Sequence, residues 1–216
     1  MIATDVSKEQ LEMAQKHPKV TYAFTPPVMT DEELYSIVGK EGSVDLVTVA
    51  TAVHWFDLET FYSQVKRVLR KPGGVIDVWT YWIPSINPAV DALSKDFLES
   101  TIPYLNPSLD YSRKGYRTLP FPFEPVLENG RGGEGNPMEM EMDVQFSLDK
   151  LLGYYQYSSL VAIARKKGVE LLNEKVLRKL KEAWGDENMI YTCKLPVYML
   201  VGKVPCEACL CLWHGL

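Results

Sequence analysis

The chain has 216 residues, 46% of them hydrophobic, and a formal net charge of -5 at pH 7. This length and apolar content suit one globular domain, with room for an elaborated lid. The mild acidity gives no electrostatic reason to expect nucleic acid or an anionic membrane as partner, and no apolar run approaches the roughly 20 residues of a membrane span.

The N-terminus lacks a basic segment followed by an apolar core. Of the four cysteines, Cys206, Cys209 and Cys211 crowd into the last eleven residues and leave only Cys193 in the body of the chain, which is no disulfide framework. A cytoplasmic protein is expected.

In chain order, Ile2 to Asp5 reads as the end of a strand. Ser7 and Gln10 then have capping-box spacing, opening a helix over 8–17 that Pro18 stops. Val20 to Phe24 is a short β-rich run closed by Pro26-Pro27. Residues 30–39 read as a helix, with Asp31-Glu32-Glu33 in the first turn, where the helix dipole favours anions, and Gly39 at the end. Val44 to Val53 is almost wholly apolar, the pattern of a strand buried on both faces. A helix follows over about 58–69, Pro72-Gly73-Gly74 breaks it, and Val75 to Tyr81 is another apolar strand. Strand and helix thus alternate three times in the first eighty residues, which predicts right-handed crossovers around a parallel sheet.

The second half reads differently. Residues 88–100 suit a helix, and 102–125 are crowded with Pro, Tyr and Phe without periodicity. Met138 to Phe146 alternates at period two, predicting a strand with one wet face and with Met138, Met140 and Met142 packed. Helical stretches over about 148–167 and 173–184 precede a last strand, Leu195 to Val204. An antiparallel ending on a parallel sheet, with the aromatic middle as a lid, is the expected architecture.

Two places carry candidate chemistry. Asp5 ends a strand, where doubly wound sheets put ligands; an acid there can take both ribose hydroxyls of a nucleoside cofactor, or it can serve as a helix cap. In "SVDLVTVATAVHWFD" the pair His54-Trp55 sits where a strand gives way to a loop, although a lone histidine can equally be structural. Gly130-Arg131-Gly132-Gly133-Glu134-Gly135 matches G-x-G-x-x-G but opens no helix, so it reads as a surface loop. Cys206, Cys209, Cys211 and His214 lie too close together for the two-knuckle pattern of structural zinc, and no metal is expected.

Taken together, "IATDVSKEQL", "VDLVTVATAVHWFD" and "RVLRKPGGVIDVWTY", with "GYRTLPFPFE" and "LPVYMLVGKV" further on, resemble the class I S-adenosylmethionine-dependent methyltransferases. Within them the likeness is to the methyltransferase type 11 branch, which includes trans-aconitate methyltransferase-like and plant embryo-abundant-type proteins. It covers residues 1 to about 204. The fold class implied is α/β, a Rossmann-like methyltransferase sheet, mostly parallel with an antiparallel C-terminal strand, carrying a helical and aromatic lid. The resemblance implies a methyltransferase domain over 1–204, a lid insertion over about 83–137, and an unstructured tail over 205–216.

It also implies S-adenosyl-L-methionine as cofactor and a small-molecule methyl acceptor as partner, with a dimer allowed. Asp5 would hold the ribose hydroxyls, and Phe24 and Thr25 would lie near the adenine. Ala50 and Thr51 would border the methionine part, with Trp55 and His54 facing the methyl group. A sulfonium methyl is already activated, so alignment and exclusion of water are the main tasks. A carboxylate acceptor needs no base; for a hydroxyl or amine, His54 is the candidate proton acceptor. The acceptor is expected against Trp79, Tyr81, Trp82, Tyr111, Tyr116 and Arg117, since an Arg beside aromatic rings suits a planar acid. These aromatics could instead form the lid's own core.

The family's first strand and its glycine-rich cofactor turn are expected upstream of Ile2 and have no counterpart in the 216 residues. Without a strand between the one ending at Asp5 and the one ending near Val53, two rows of backbone groups lack partners. Weak or absent cofactor binding is therefore the expectation for this chain. The alternative to an active enzyme is an inactive truncated form, or a regulatory partner of an intact paralogue. "AVHWFD" and "KPGGVI" speak against an oxidoreductase.

Overall fold

The structure is a computed structural model, and it describes residues 1–126 and 136–204. The Gly130–Gly135 segment and the expected tail at 205–216 lie outside the described residues.

The chain opens on β1 (Ile2–Asp5) and α1 (Lys8–Met13), capped where the Ser7 hydroxyl accepts from the Gln10 amide. This helix stops four residues short of the expected end, because Ala14 is already extended. β2 (Thr21–Phe24) runs parallel to β1, with Asp5 opposite Phe24. α2 (Asp31–Val38) carries a complete capping box between Thr30 and Glu33. There follow β3 (Leu46–Ala50), a 3₁₀ turn over Val53–Trp55, α3 (Leu58–Val68) and β4 (Val75–Tyr81). The later elements are α4 (Pro88–Thr101), α5 (Leu109–Arg113), β5 (Glu124–Pro125) and β6 (Met138–Phe146). Last come α6 (Leu148–Gln156), α7 (Ser159–Lys166), α8 (Glu174–Trp184) and β7 (Tyr191–Lys203).

The alternation predicted from sequence is thus present, and the fold is mixed α/β. The strands divide into two sheets. β1 and β2 form one; the other has the order β3-β4-β7-β5, with β6 also on β7. β7 is antiparallel to both β5 and β6.

Three expectations need correction. β3 is not buried on both faces: it ends its sheet, Val49 is buried, and Leu46 is 55% exposed. An apolar run predicts burial only where a neighbouring strand or helix covers it, and this run has such cover on one side alone. The methionines of β6 are not a packed face, since Met140 and Met142 are both exposed. The stretch 148–167 is two helices: α6 ends at Gln156, with Tyr157 as its cap, and Ser158 caps α7 by accepting from the Leu160 amide.

Two compact units share the chain. The first contains residues 1–78, 120–126 and 200–204, and the second contains 79–119 and 136–199. β4 and β7 each run from one unit into the other. In the first unit α3 buries Tyr62, Val65 and Val68, and the edges of Phe121 and Phe123 meet the Tyr62 ring. α2 reaches α3 through an Arg67–Asp31 ion pair and a bond from Gln64 Nε2 to the Met29 carbonyl, 3.2 Å. The second unit has a core of Val90, Phe97, Leu151, Tyr155, Leu180 and Trp184. Each such side chain contributes about 1.5–3 kcal/mol by leaving water. Among the described residues, no helix is long and apolar enough to cross a membrane.

Candidate active site

Parallel pairing of β1 with β2 puts Asp5 and Phe24 side by side at the strands' carboxyl ends, and the Thr25 amide donates to the Asp5 carbonyl at 3.0 Å. Asp5 Oδ1 accepts from the Ser7 amide at 2.8 Å, so the carboxylate helps turn the chain into α1, while Ser7 is the cap itself. Its other oxygen makes no hydrogen bond among the described residues. A hollow of about 290 Å³ lies here, lined by Ala3, Asp5, Gln10, Leu11, Met13, Ala14 and Tyr22. Phe24 is exposed, with the Lys8 ammonium over its ring at 5.1 Å.

The second part of the expected site is the end of β3. Ala50 is exposed, and Thr51 has φ of 50°, a left-handed conformation that a β-branched residue adopts only under constraint. The 3₁₀ turn then brings His54 and Trp55 together, ring centroids 5.2 Å apart. They face different surroundings: His54 is 6% exposed and Trp55 48%. Burial pushes the imidazole down to about 4, so at neutral pH it is uncharged. Ala50, Thr51, His54 and Trp55 are not among the residues lining the hollow at Asp5.

Asp77 on β4 was not singled out from sequence. Burial raises its carboxyl, a Thr48 hydrogen bond works the other way, and Oδ1 has no hydrogen-bond partner among the described residues. At the "KPGG" turn a Cβ on Gly74 would lie 2.7 Å from Arg70 backbone atoms, so glycine is needed there for close packing.

The expected acceptor residues all lie in the second unit. β4 alternates strictly, with Ile76, Val78 and Thr80 buried and Trp79 and Tyr81 half-buried on the opposite face. Trp82 and Tyr111 are also half-buried, and the Trp82 amide donates to the Pro196 carbonyl at 3.1 Å. Tyr116 is fully buried with φ of 58°, and its phenol, raised by burial, has Thr80 as hydrogen-bond partner; Thr80 in turn lies 2.7 Å from the Ser112 hydroxyl. This tyrosine packs the unit's interior. Arg117 is exposed, paired with Glu139 of β6, and stacked 4.9 Å from the Tyr198 ring centroid.

Comparison with known proteins decides the family. The family model described as a methyltransferase domain matches residues 1–77. A protein of Dictyostelium discoideum described as a methyltransferase is 29% identical over 211 residues, covering 94% of this chain and 73% of that protein. A solved structure described as a type II methyltransferase, from Anaeromyxobacter dehalogenans, is 31% identical with a TM-score of 0.71, covering 94% of this chain and 80% of its own. The chain belongs to the class I S-adenosylmethionine-dependent methyltransferases. It is therefore a methyltransferase enzyme with a Rossmann-like fold, as the sequence motifs implied.

For this methyltransferase the fit of the family's cofactor is tested at Asp5. A carboxylate with one oxygen held by a backbone amide and the other unengaged, beside a hollow with apolar lining, suits a pair of vicinal hydroxyls. The residues fit. Sequence reasoning missed Tyr154 of α6, which packs 6.4 Å from Tyr81. Its only signal was a tyrosine one place before the buried Tyr155, and therefore off the helix's inward stripe.

Proposed function

We propose that this methyltransferase moves the methyl group of S-adenosylmethionine to a small-molecule acceptor carrying a carboxylate or a hydroxyl. The observation that carries the reading is the Asp5 carboxylate at the tip of β1, anchored through Oδ1 and open at its other oxygen. Asp5 would hold the ribose hydroxyls, Phe24 and Thr25 the adenine, and Ala50, Thr51 and Trp55 the methionine part. Once bound, the sulfonium supplies an activated methyl group. The protein's own work is then alignment and exclusion of water. A carboxylate acceptor calls for no base. With a hydroxyl acceptor, the buried, uncharged His54 imidazole is the group with a lone pair to take the proton; its depressed basicity makes it a weak base at neutral pH.

Titration calorimetry tests this. S-adenosylmethionine should bind the full chain measurably but weakly, above micromolar concentration. Asp5→Ala, checked for folding by circular dichroism, should weaken binding about 100-fold, the equivalent of two hydrogen bonds to a charged acceptor. Failure of the unmodified chain to bind would reject the reading in favour of a regulatory partner of an intact methyltransferase.

A further inference from the structure

We propose that Trp79, Tyr81 and Tyr154 form the acceptor subsite, and that it takes a neutral planar ring bearing a hydroxyl in preference to a carboxylate. This deepens the methyl-transfer reading and rests on it.

All three residues belong to the second unit. Trp79 and Tyr81 share the half-buried face of β4, ring centroids 6.3 Å apart and tilted by 38°. α6 buries Leu148, Leu151 and Tyr155 inward. Tyr154, one residue and about 100° away around the helix, is turned off that stripe towards Tyr81. The Tyr81 and Tyr154 rings lie 6.4 Å apart at 42°.

Tyr155 shows what a settled phenol looks like here, because its hydroxyl donates to Ser94 at 2.6 Å. The hydroxyls of Tyr81 and Tyr154 and the indole N–H of Trp79 make no hydrogen bond among the described residues. Three polar groups without a protein partner on one half-buried aromatic face, and still within reach of solvent, are open to a ligand or water.

Charge decides between ligands. Burial raises the Tyr154 phenol well above its ordinary value, neighbouring Tyr81 and Tyr155 push it the same way, and no cation among the described residues opposes them. A carboxylate brought to this face would lose water without gaining a positive partner. Arg117, the cation expected to receive an acid, is already bound to Glu139 and stacked on Tyr198. A hydroxyl both donates and accepts, as the two phenols do, and a flat ring can lie against tilted aromatic faces.

The test compares 4-methylphenol with 4-methylbenzoate at pH 7 on the full chain, by tryptophan fluorescence and ligand-observed NMR. The phenol should bind about ten-fold more tightly, one hydrogen bond's worth. Tyr154→Phe, which keeps the ring, should remove that advantage, while Tyr157→Phe at an exposed position should change nothing. Equal or tighter binding of the benzoate, or an unchanged preference in Tyr154→Phe, overturns the proposal. A parallel titration with S-adenosylmethionine separates the two readings. Phenol preference without cofactor binding would keep the subsite and reject methyl transfer; cofactor binding without the preference would do the reverse.

Discussion

The Tyr155 hydroxyl donates to Ser94 Oγ at 2.6 Å, joining α6 to α4 across 61 positions of sequence inside the core of the second unit. Ser94 passes the bond on to the Val90 carbonyl at 2.8 Å, so every polar atom in this short chain of bonds is used. Tyr155→Phe removes one donor and should cost about 1 kcal/mol. Ser94→Ala strands a buried phenol and should cost about 2 kcal/mol. Urea unfolding of both variants and of the double variant should give a combined loss smaller than the sum, since both break the same bond.

His54 makes stability depend on pH. Its native imidazole gains a proton only near 4, against an ordinary value of 6.5. Below pH 6.5 the unfolded chain is protonated there first, so stability is full above that point and falls as pH drops towards 4. Between pH 7 and pH 5 this group should cost about 2 kcal/mol. Denaturant melts of the unmodified chain and of His54→Gln at the two pH values should show that much less acid sensitivity in the variant.

Asp77 works in the opposite sense. Its carboxyl is raised by burial, so the native state prefers the protonated form and loses stability as pH climbs from 3.8 through the raised value. With Oδ1 lacking a hydrogen-bond partner among the described residues, Asp77→Val should stabilise the fold by about 1 kcal/mol at pH 7. The gain should shrink as pH falls through the raised value and vanish below 3.8. Thermal melts across pH check both the sign and the window.

Gly115 has φ of +59°, and a Cβ there would fall 2.7 Å from the Tyr198 ring. Gly115→Ala should therefore cost about 2 kcal/mol from backbone strain and overpacking together. It should also disturb the stacking of Arg117 on that ring, visible as a shifted Tyr198 resonance.

Much of this was legible in the sequence, for local reasons. The acidic first turn Asp31-Glu32-Glu33 of α2 and the apolar residues of α8 set against its Lys, Arg and Glu are short-range signals, and both helices lie where they were expected. Asp5 at a strand tip and the His54-Trp55 turn were found the same way, from residues adjacent in the chain. What escaped depends on distant neighbours. Whether the apolar run of β3 is covered on both faces is decided by what packs over each face, and only the Val49 side is buried. The break at Ser158 had a signal, a capping hydroxyl, which the run of apolar residues on either side concealed. Asp77 and Tyr154 differ from ordinary strand and helix residues only through Thr48 and Tyr81, which the fold brings to them.

β7 has a consequence for biosynthesis. Its residues 191–199 complete the second unit against β6, and residues 202–203 pair with β5 in the first. A ribosome makes this strand after every other element it pairs with. The sheet containing β7 cannot be completed while the earlier strands are emerging, so β6 stays unpaired until β7 itself has been translated. Closure of that sheet is then a late event, while the β1-β2 pair can form as soon as it has emerged.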